Sequence, residues 1–297
     1  MTNQIKTVLL LTVLSAIFLL IGYALGGSSG MTTALVFSLV MNFGAYWFSD
    51  KIVLAMHQAR EIGADHPSGV YQIVQELAAE THLPMPKVYV VPQLTPNAFA
   101  TGRNPKHAVV AVTEGILKIL DKRELRGVLA HEISHIENRD ILVSTIVAAI
   151  ASAIMYLAHM MRWMGVSGSR RSNDREGGGL NPLVLLLTIV LAPLAASLIQ
   201  AAISRTREFM ADHSGAEVSH DPEALASALE KISNPALIQE IKRNPMLPPD
   251  LQPAFTHLYI VNHFSGESLM TLFSTHPPTK ERVRRLREMK LETPRSA

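Results

Sequence analysis

From Thr7 to Ser49 the chain carries no charged side chain. A run of that length constrains the fold strongly, because a backbone held in hydrocarbon must satisfy its polar groups internally, as helix does. Gly26-Gly27-Ser28-Ser29-Gly30 divides the run into two spans, about Thr7–Leu25 and Met31–Phe48. Each is close to the ~20 residues needed to cross a bilayer. Tyr46 and Trp47 stand at the exit, where interfacial aromatics belong. Ala24-Leu25-Gly26 also resembles a signal cleavage site, but the first apolar run is longer than the ~7–15 residues of a signal core and a second span follows at once. The expectation is a retained helical hairpin over residues 1–49. Lys6 precedes it, Lys51 and Arg60 follow it, and the connecting turn is uncharged. By the positive-inside rule both ends then lie in the cytoplasm.

Composition agrees with membrane segments: 48% of residues are hydrophobic and only 18% charged. A formal net charge of +2 and the lack of any aromatic-basic pattern give no footing for a nucleic-acid partner. The chain has no cysteine. That excludes disulfides and thiolate ligands, and leaves histidine and carboxylates as the candidate ligands for zinc.

A second hydrophobic hairpin is expected over residues 141–203. Ile141–Met161 and Gly177–Ser204 are uncharged, the latter containing Pro182 and Pro193. The loop between them carries Arg162, Arg170, Arg171 and Arg175 against Asp174 and Glu176, which conflicts with a loop outside the cytoplasm. The hairpin either spans against that bias, the reading preferred here, or only dips into the membrane. Its flanks return to the same side in both cases.

Residues 50–140 read as the first part of an α+β domain, and residues 204–297 as the second. Ile52–His57 suggests a short surface helix and Ser68–Glu80 a longer one. Strands are expected at Lys87–Val91, Asn97–Thr101 and Ala108–Val112. Thr113 caps a helix over Glu114–Leu120. Asp121 and Glu124 form a capping box opening a helix with an apolar stripe at Leu125, Val128, Leu129, Ile133 and Ile136. Further on, Asp221-Pro222 starts a helix through about Ile232. His276-Pro277-Pro278 leads into a basic helix whose charges are expected on a solvated or membrane-facing surface.

Within the capped helix lies His131-Glu132-Ile133-Ser134-His135. Histidines at i and i+4 share a face, so both imidazoles can reach one ion, and Glu132 is placed to take a proton from water activated there. The alternative is a surface helix with two solvated histidines, but these side chains flank the apolar stripe and are expected to be partly buried. A catalytic zinc needs a third protein ligand. Glu208 and Asp212, again at i and i+4, supply a candidate. Glu208 would bind the ion while Asp212 accepts a hydrogen bond from the outer nitrogen of a ligating histidine, His131. A surface acidic pair is the bland alternative. Because the second hairpin returns to the same side of the membrane, it brings these two helix ends together, which places Glu208 ahead of Glu217 or Glu223.

Asn97, Ala98, Phe99, Ala100 and Thr101 lie between Pro96 and a basic turn at Arg103 and Lys106. They read either as a short edge strand able to add an extended peptide substrate, or as an ordinary strand with Phe99 in the core.

Together, His131–His135, Glu208–Asp212, Asn97–Gly102 and His276–Pro278 resemble the HtpX-type membrane zinc metalloproteases, relatives of the CAAX prenyl proteases. The likeness covers essentially the whole chain. It implies an α+β, mainly helical, zincin-like protease domain with a small sheet, interrupted and anchored by two transmembrane hairpins. It further implies one Zn2+ per chain on His131, His135 and Glu208, with Glu132 as catalytic acid/base, and a cytoplasmically facing site in a bacterial inner membrane. Misfolded membrane polypeptides would be the substrates, often under stress. His276 and Arg205, each in a motif, are candidate donors to the oxyanion; for His276 the alternative is a turn residue ordered by two prolines. Two rival readings are a non-catalytic membrane scaffold with a regulatory metal site and a zinc protease whose site faces away from the cytoplasm.

Overall fold

The computed structural model describes residues 3–142, 144–146, 205–234, 236, 260 and 277–289. Nearly all of the expected second hairpin, and His276, lie outside them.

Helix α1 (Asn3–Met56) is two helical arms joined at Gly26 and Gly27, whose backbones leave the helical region (Gly27 φ 57°, ψ −141°). The break falls at the start of the Gly26–Gly30 stretch expected to divide the run, and the arms fold back on each other. A Cβ on Gly30 would lie 2.2 Å from the Gly22 carbonyl oxygen, so no side chain fits there. Asn42 Nδ2 donates to Ser15 Oγ across the arms (2.7 Å), and the rings of Phe18 and Phe37 meet edge-on at 5.3 Å. Leu35, Val36, Leu39, Val40 and Phe43 are exposed among the described residues. No single described helix is long and apolar enough to cross a membrane; the pair Gly26–Gly44 and Tyr46–Met56, bent by 68°, meets the length and composition together. The short surface helix expected at Ile52–His57 falls within the Tyr46–Met56 segment beyond this bend, and helix α1 ends at Met56.

A four-stranded sheet follows in the order β1-β2-β4-β3. Strand β1 (Arg60–Ile62), which the sequence pattern did not announce, pairs antiparallel with β2 (Lys87–Val91). Its three residues are too few to show an alternation. Strand β2 runs parallel to β4 (Ala108–Thr113), and β4 antiparallel to β3 (Ala98–Gly102), which forms the free edge. Helix α2 (Val70–Glu80) buries Val70, Ile73, Val74, Leu77 and Ala78 in the core that also holds Val88, Val110 and Val112 from the sheet. Thr113 caps α3 (Glu114–Ile119) by accepting from the Ile116 amide, as predicted.

Helix α4 (Lys122–Glu137) starts from the predicted capping box, with Asp121 accepting from the Glu124 amide and Glu124 from the Asp121 amide. The Glu124 carboxylate also accepts from Ser227 Oγ and Lys231 Nζ, both at 2.7 Å, tying α4 to α6 (Pro222–Ile232). Helix α5 (Arg205–Ser219) lies along the other side of α4, and α7 (Thr279–Glu288) packs against α5 and α6. Two glycines permit these approaches. Gly127 faces the backbone of Ala224 and Leu225, and a Cβ on Gly215 would sit 2.7 Å from the His131 nitrogen and 2.8 Å from its Cα. Gly215→Ala must therefore push α5 off α4. The expected loss is about 1–3 kcal/mol of stability, the usual cost of overpacking, read by denaturant unfolding of the purified protein.

Candidate metal centre

The α4–α5 contact decides which side chains meet. His131 and His135 stand one turn apart on α4, and Glu208, in the first turn of α5, faces them. One donor atom from each of the three lies within 4.8 Å of the others. Glu208 Oε2 is 3.8 Å from His131 Nε2, and Glu208 Oε1 is 3.7 Å from His135 Nε2. These separations exceed the ~2.7–3.2 Å of a hydrogen bond, so the atoms face a shared point rather than one another. Tetrahedral zinc with ligand bonds of about 2.0–2.2 Å sets its ligand atoms about 3.3–3.5 Å apart. The cluster is slightly wider than that, and its two imidazoles and one carboxylate are a donor set that suits zinc. His131 and Glu208 are buried and His135 nearly so, which excludes the solvated-histidine and surface-acid alternatives. Glu217 and Glu223 do not join the cluster. Glu217 lies 3.7 Å from His213 on the exposed side of α5, and Glu223 pairs with Arg287.

Beside the shared point, the Glu132 carboxylate is buried, and its Oε2 accepts from the backbone N–H of Ala100 on β3 (2.9 Å). Burial pushes this carboxyl above its ordinary value, while His131, His135 and the Ala100 amide oppose the rise. Because the Ala100 N–H points away from β4, the backbone groups of Ala98, Ala100 and Gly102 face the open edge. The Phe99 side chain lies on the opposite face of the sheet from Ala98 and Ala100, buried against His57 (ring centroids 5.3 Å). The strand is thus both an edge and a core strand. Its far end is closed, since Thr145 Oγ1 accepts from the Gly102 amide and meets Thr101 Oγ1 at 2.9 Å. The Asn97 side chain is occupied structurally: its Oδ1 accepts from the Ile260 amide (3.0 Å).

Each histidine has an aspartate behind it. Asp212 Oδ1 lies 3.0 Å from His131 Nδ1. At that separation the carboxylate and the imidazole are in direct polar contact, and His131 helps hold Asp212 ionised. At the end of α4, Arg139 takes a left-handed backbone (φ 57°) and the Asp140 amide turns back to the His135 carbonyl. This brings Asp140 Oδ2 to 3.6 Å from His135 Nδ1. Burial alone would lower the His135 pKa; Asp140, Glu208 and Glu132 outweigh it and raise it to about 9. The pocket therefore favours a positive charge among its carboxylates.

Two arginines complete this arrangement, and neither was singled out from the sequence. Arg282, fully buried, grips Asp212 with two bonds (Nε to Oδ2 2.8 Å, Nη2 to Oδ1 2.6 Å) and donates a third to the Ile260 carbonyl (2.7 Å). Burial would raise the Asp212 carboxyl, but Arg282 and His131 hold it down at about 2. The expectation of a wholly solvated or membrane-facing basic surface on α7 is corrected here. Arg284, Arg285 and Arg287 are exposed and ion-paired, whereas Arg282 points inward. The available signal was its i,i+4 relation to Leu286, which puts both on one face. Arg207 Nη1 lies 3.4 Å from Asp140 Oδ1; a basic residue next to Glu208 gave no periodic cue. Arg205 opens α5, but its side chain, like His276, lies outside what the structure describes.

The sequence model of Peptidase family M48 matches residues 66–290. A protease HtpX homolog of Syntrophobacter fumaroxidans is 53% identical over 289 residues, covering 97% of this chain and 100% of that one. A protease HtpX homolog of Desulforapulum autotrophicum is 52% identical, covering 97% and 90%. Among solved structures, the crystal structure of S. mikatae Ste24p aligns with a TM-score of 0.48 and 18% identity, covering 96% of this chain and 65% of that one.

Arg282→Met would leave Asp212 buried without its counter-charge. The expected cost is about 3–5 kcal/mol in stability, with roughly 10–100-fold weaker metal binding because the carboxylate beside His131 loses its anchor. Unfolding curves and chelator competition would check the two effects. Arg282→Lys is expected to restore only part, since an ammonium cannot reproduce the paired bonds.

Proposed function

The chain belongs to Peptidase family M48 and is a metalloprotease, and we propose that it is a zinc endopeptidase, anchored by its hydrophobic hairpins, that cleaves damaged or misfolded membrane proteins. The observation that carries this is the convergence of His131, His135 and Glu208 on one point, with Glu132 beside it and tied to an edge strand.

In this reading His131, His135 and Glu208 hold one zinc ion. When bound there, zinc supplies a Lewis acid that lowers the pKa of water and polarises the scissile carbonyl. Glu132 takes the proton of the attacking water and passes it to the leaving amine nitrogen. The Ala100 N–H fixes which carboxylate oxygen is committed to the strand. Asp212 and Asp140 hold the two imidazole rings from behind.

The outward backbone groups of Ala98 and the Ala100 carbonyl are the pairing positions for an extended substrate, the Ala100 N–H being held by Glu132. Asn97, Phe99 and Thr101 act by placing that strand. Backbone pairing gives little sequence selectivity, which suits clearance of unfolded chains. Arg205 and His276 remain the proposed oxyanion donors. Anchoring is supported by the uncharged run Thr7–Ser49, its helical-hairpin form and its exposed apolar faces. A cytoplasmic site is supported by Lys6, Lys51 and Arg60 around an uncharged turn. The four segments 1–49, 50–140, 141–203 and 204–297 then act as anchor, first catalytic part, second hairpin and second catalytic part.

Glu132→Gln is expected to lower kcat on a casein-type substrate by roughly 10²–10⁴-fold, with zinc content unchanged in detergent-purified protein. Chelation of the metal should abolish wild-type cleavage, and added zinc should restore it. Undiminished proteolysis by the purified Glu132→Gln variant would sink the assignment.

A further inference from the structure

Where the second arm of α1 meets the catalytic domain, a pocket of about 430 Å3 opens between Phe43, Trp47 and Phe48 on the helix and Arg103 and His107 on the turn after β3. The Arg103 guanidinium stacks over the Trp47 ring at 4.5 Å, and the Lys51 ammonium stands 5.6 Å from the Phe48 ring. Stacking on an aromatic face holds a guanidinium plane while leaving its edge open to an anion. Arg103 spends Nη2 on His107 Nε2 (2.8 Å), and His107 Nδ1 in turn meets Asn104 Oδ1 (2.8 Å). The turn is thereby ordered with its cation against the helix. Asp50 also lines the pocket; Lys51 and Arg103 against Asp50 leave one positive charge, which matches one phosphodiester.

We propose that this pocket binds an anionic phospholipid, its phosphate on Lys51 and Arg103 and the start of its acyl chains against Phe43 and Trp47. The proposal rests on the membrane reading above. The apolar half of the lining is continuous with the exposed apolar face of the hairpin at Leu39, Val40 and Phe43, which is why a lipid rather than a free anion is its occupant. Arg103 directly follows Gly102, the last residue of β3. A bound headgroup would therefore fix the point where the substrate-pairing strand leaves the sheet, and the site connects lipid composition to the catalytic edge.

Trp47 reports on the pocket, because the chain has only two tryptophans. The test uses full-length Trp163→Phe protein reconstituted in vesicles, with brominated lipids as contact quenchers. Brominated phosphatidylglycerol should quench Trp47 at a roughly fivefold lower mole fraction than brominated phosphatidylcholine, about the effect of one basic residue at an anionic surface. Arg103→Gln and Lys51→Gln should each bring that ratio close to one without changing vesicle flotation or zinc content, and Arg103→Lys should retain most of it. Equal quenching by the two lipids, or a ratio that neither neutralising variant moves, overturns the site. Reversal of the quenching by millimolar inorganic phosphate overturns it in favour of a plain anion site. Protein that floats with vesicles but shows no preference refutes the lipid site alone; protein that does not float refutes the membrane reading as well.

Discussion

The centre depends on backbone-to-backbone contact between α4 and α5 at Gly215. With no side chain there, the helix carrying Glu208 and Asp212 lies directly on the backbone of His131. Glu208 is two turns away from that contact and Asp212 one, so a shift of α5 moves both the proposed third ligand and the carboxylate behind the first. Gly127 performs the same service for α6, whose Ser227 and Lys231 hold Glu124 at the head of α4. The metal helix is thus clamped by small-residue contacts on two sides and by charge at its start. Its register is set before any ion binds.

That clamp encloses an unusual amount of charge. Glu132, Asp140, Glu208 and Asp212 are buried together, and among the described residues Arg207 reaches Asp140 and Arg282 grips Asp212. Buried charges are tolerated when paired and hydrogen-bonded and are costly otherwise. The aspartates therefore serve two ends. They lie beside the two imidazoles, and they carry arginines into the interior, so that the charge around His131 and His135 is set by distant parts of the chain.

Much of this was legible in the sequence because it is local. The glycine break in α1, the capping box at Asp121 and Glu124, the Thr113 cap and the i,i+4 pairs of α4 and α5 all follow from spacing along one helix or turn. What escaped were contacts made across the fold by residues with no periodic partner. Arg282 lies in a run of basic residues, and only its register with Leu286 separates it from its solvated neighbours. Asp140 reaches His135 because Arg139 reverses the chain, not because of helical spacing. The Asn97 side chain supports Ile260 rather than facing the edge, since the segment that needs its oxygen comes far later in the chain. Strand β1 is held by pairing with β2 rather than by a pattern of its own.

The same long-range contacts join the membrane part to the chemistry. Thr145, in the apolar run that leaves α4, closes the end of β3 by binding Gly102 and Thr101. Arg103, the next residue, stacks on Trp47 of α1. Ala100, two residues earlier, holds Glu132. A short strand is thus gripped at one end by Thr145 and Trp47 and in its middle by Glu132. Since an edge strand has ladder bonds on one side only, these contacts supply the rigidity that a missing neighbour would otherwise give. Arg103 and the Glu132 carboxylate are thus linked through the four residues of backbone from Ala100 to Arg103.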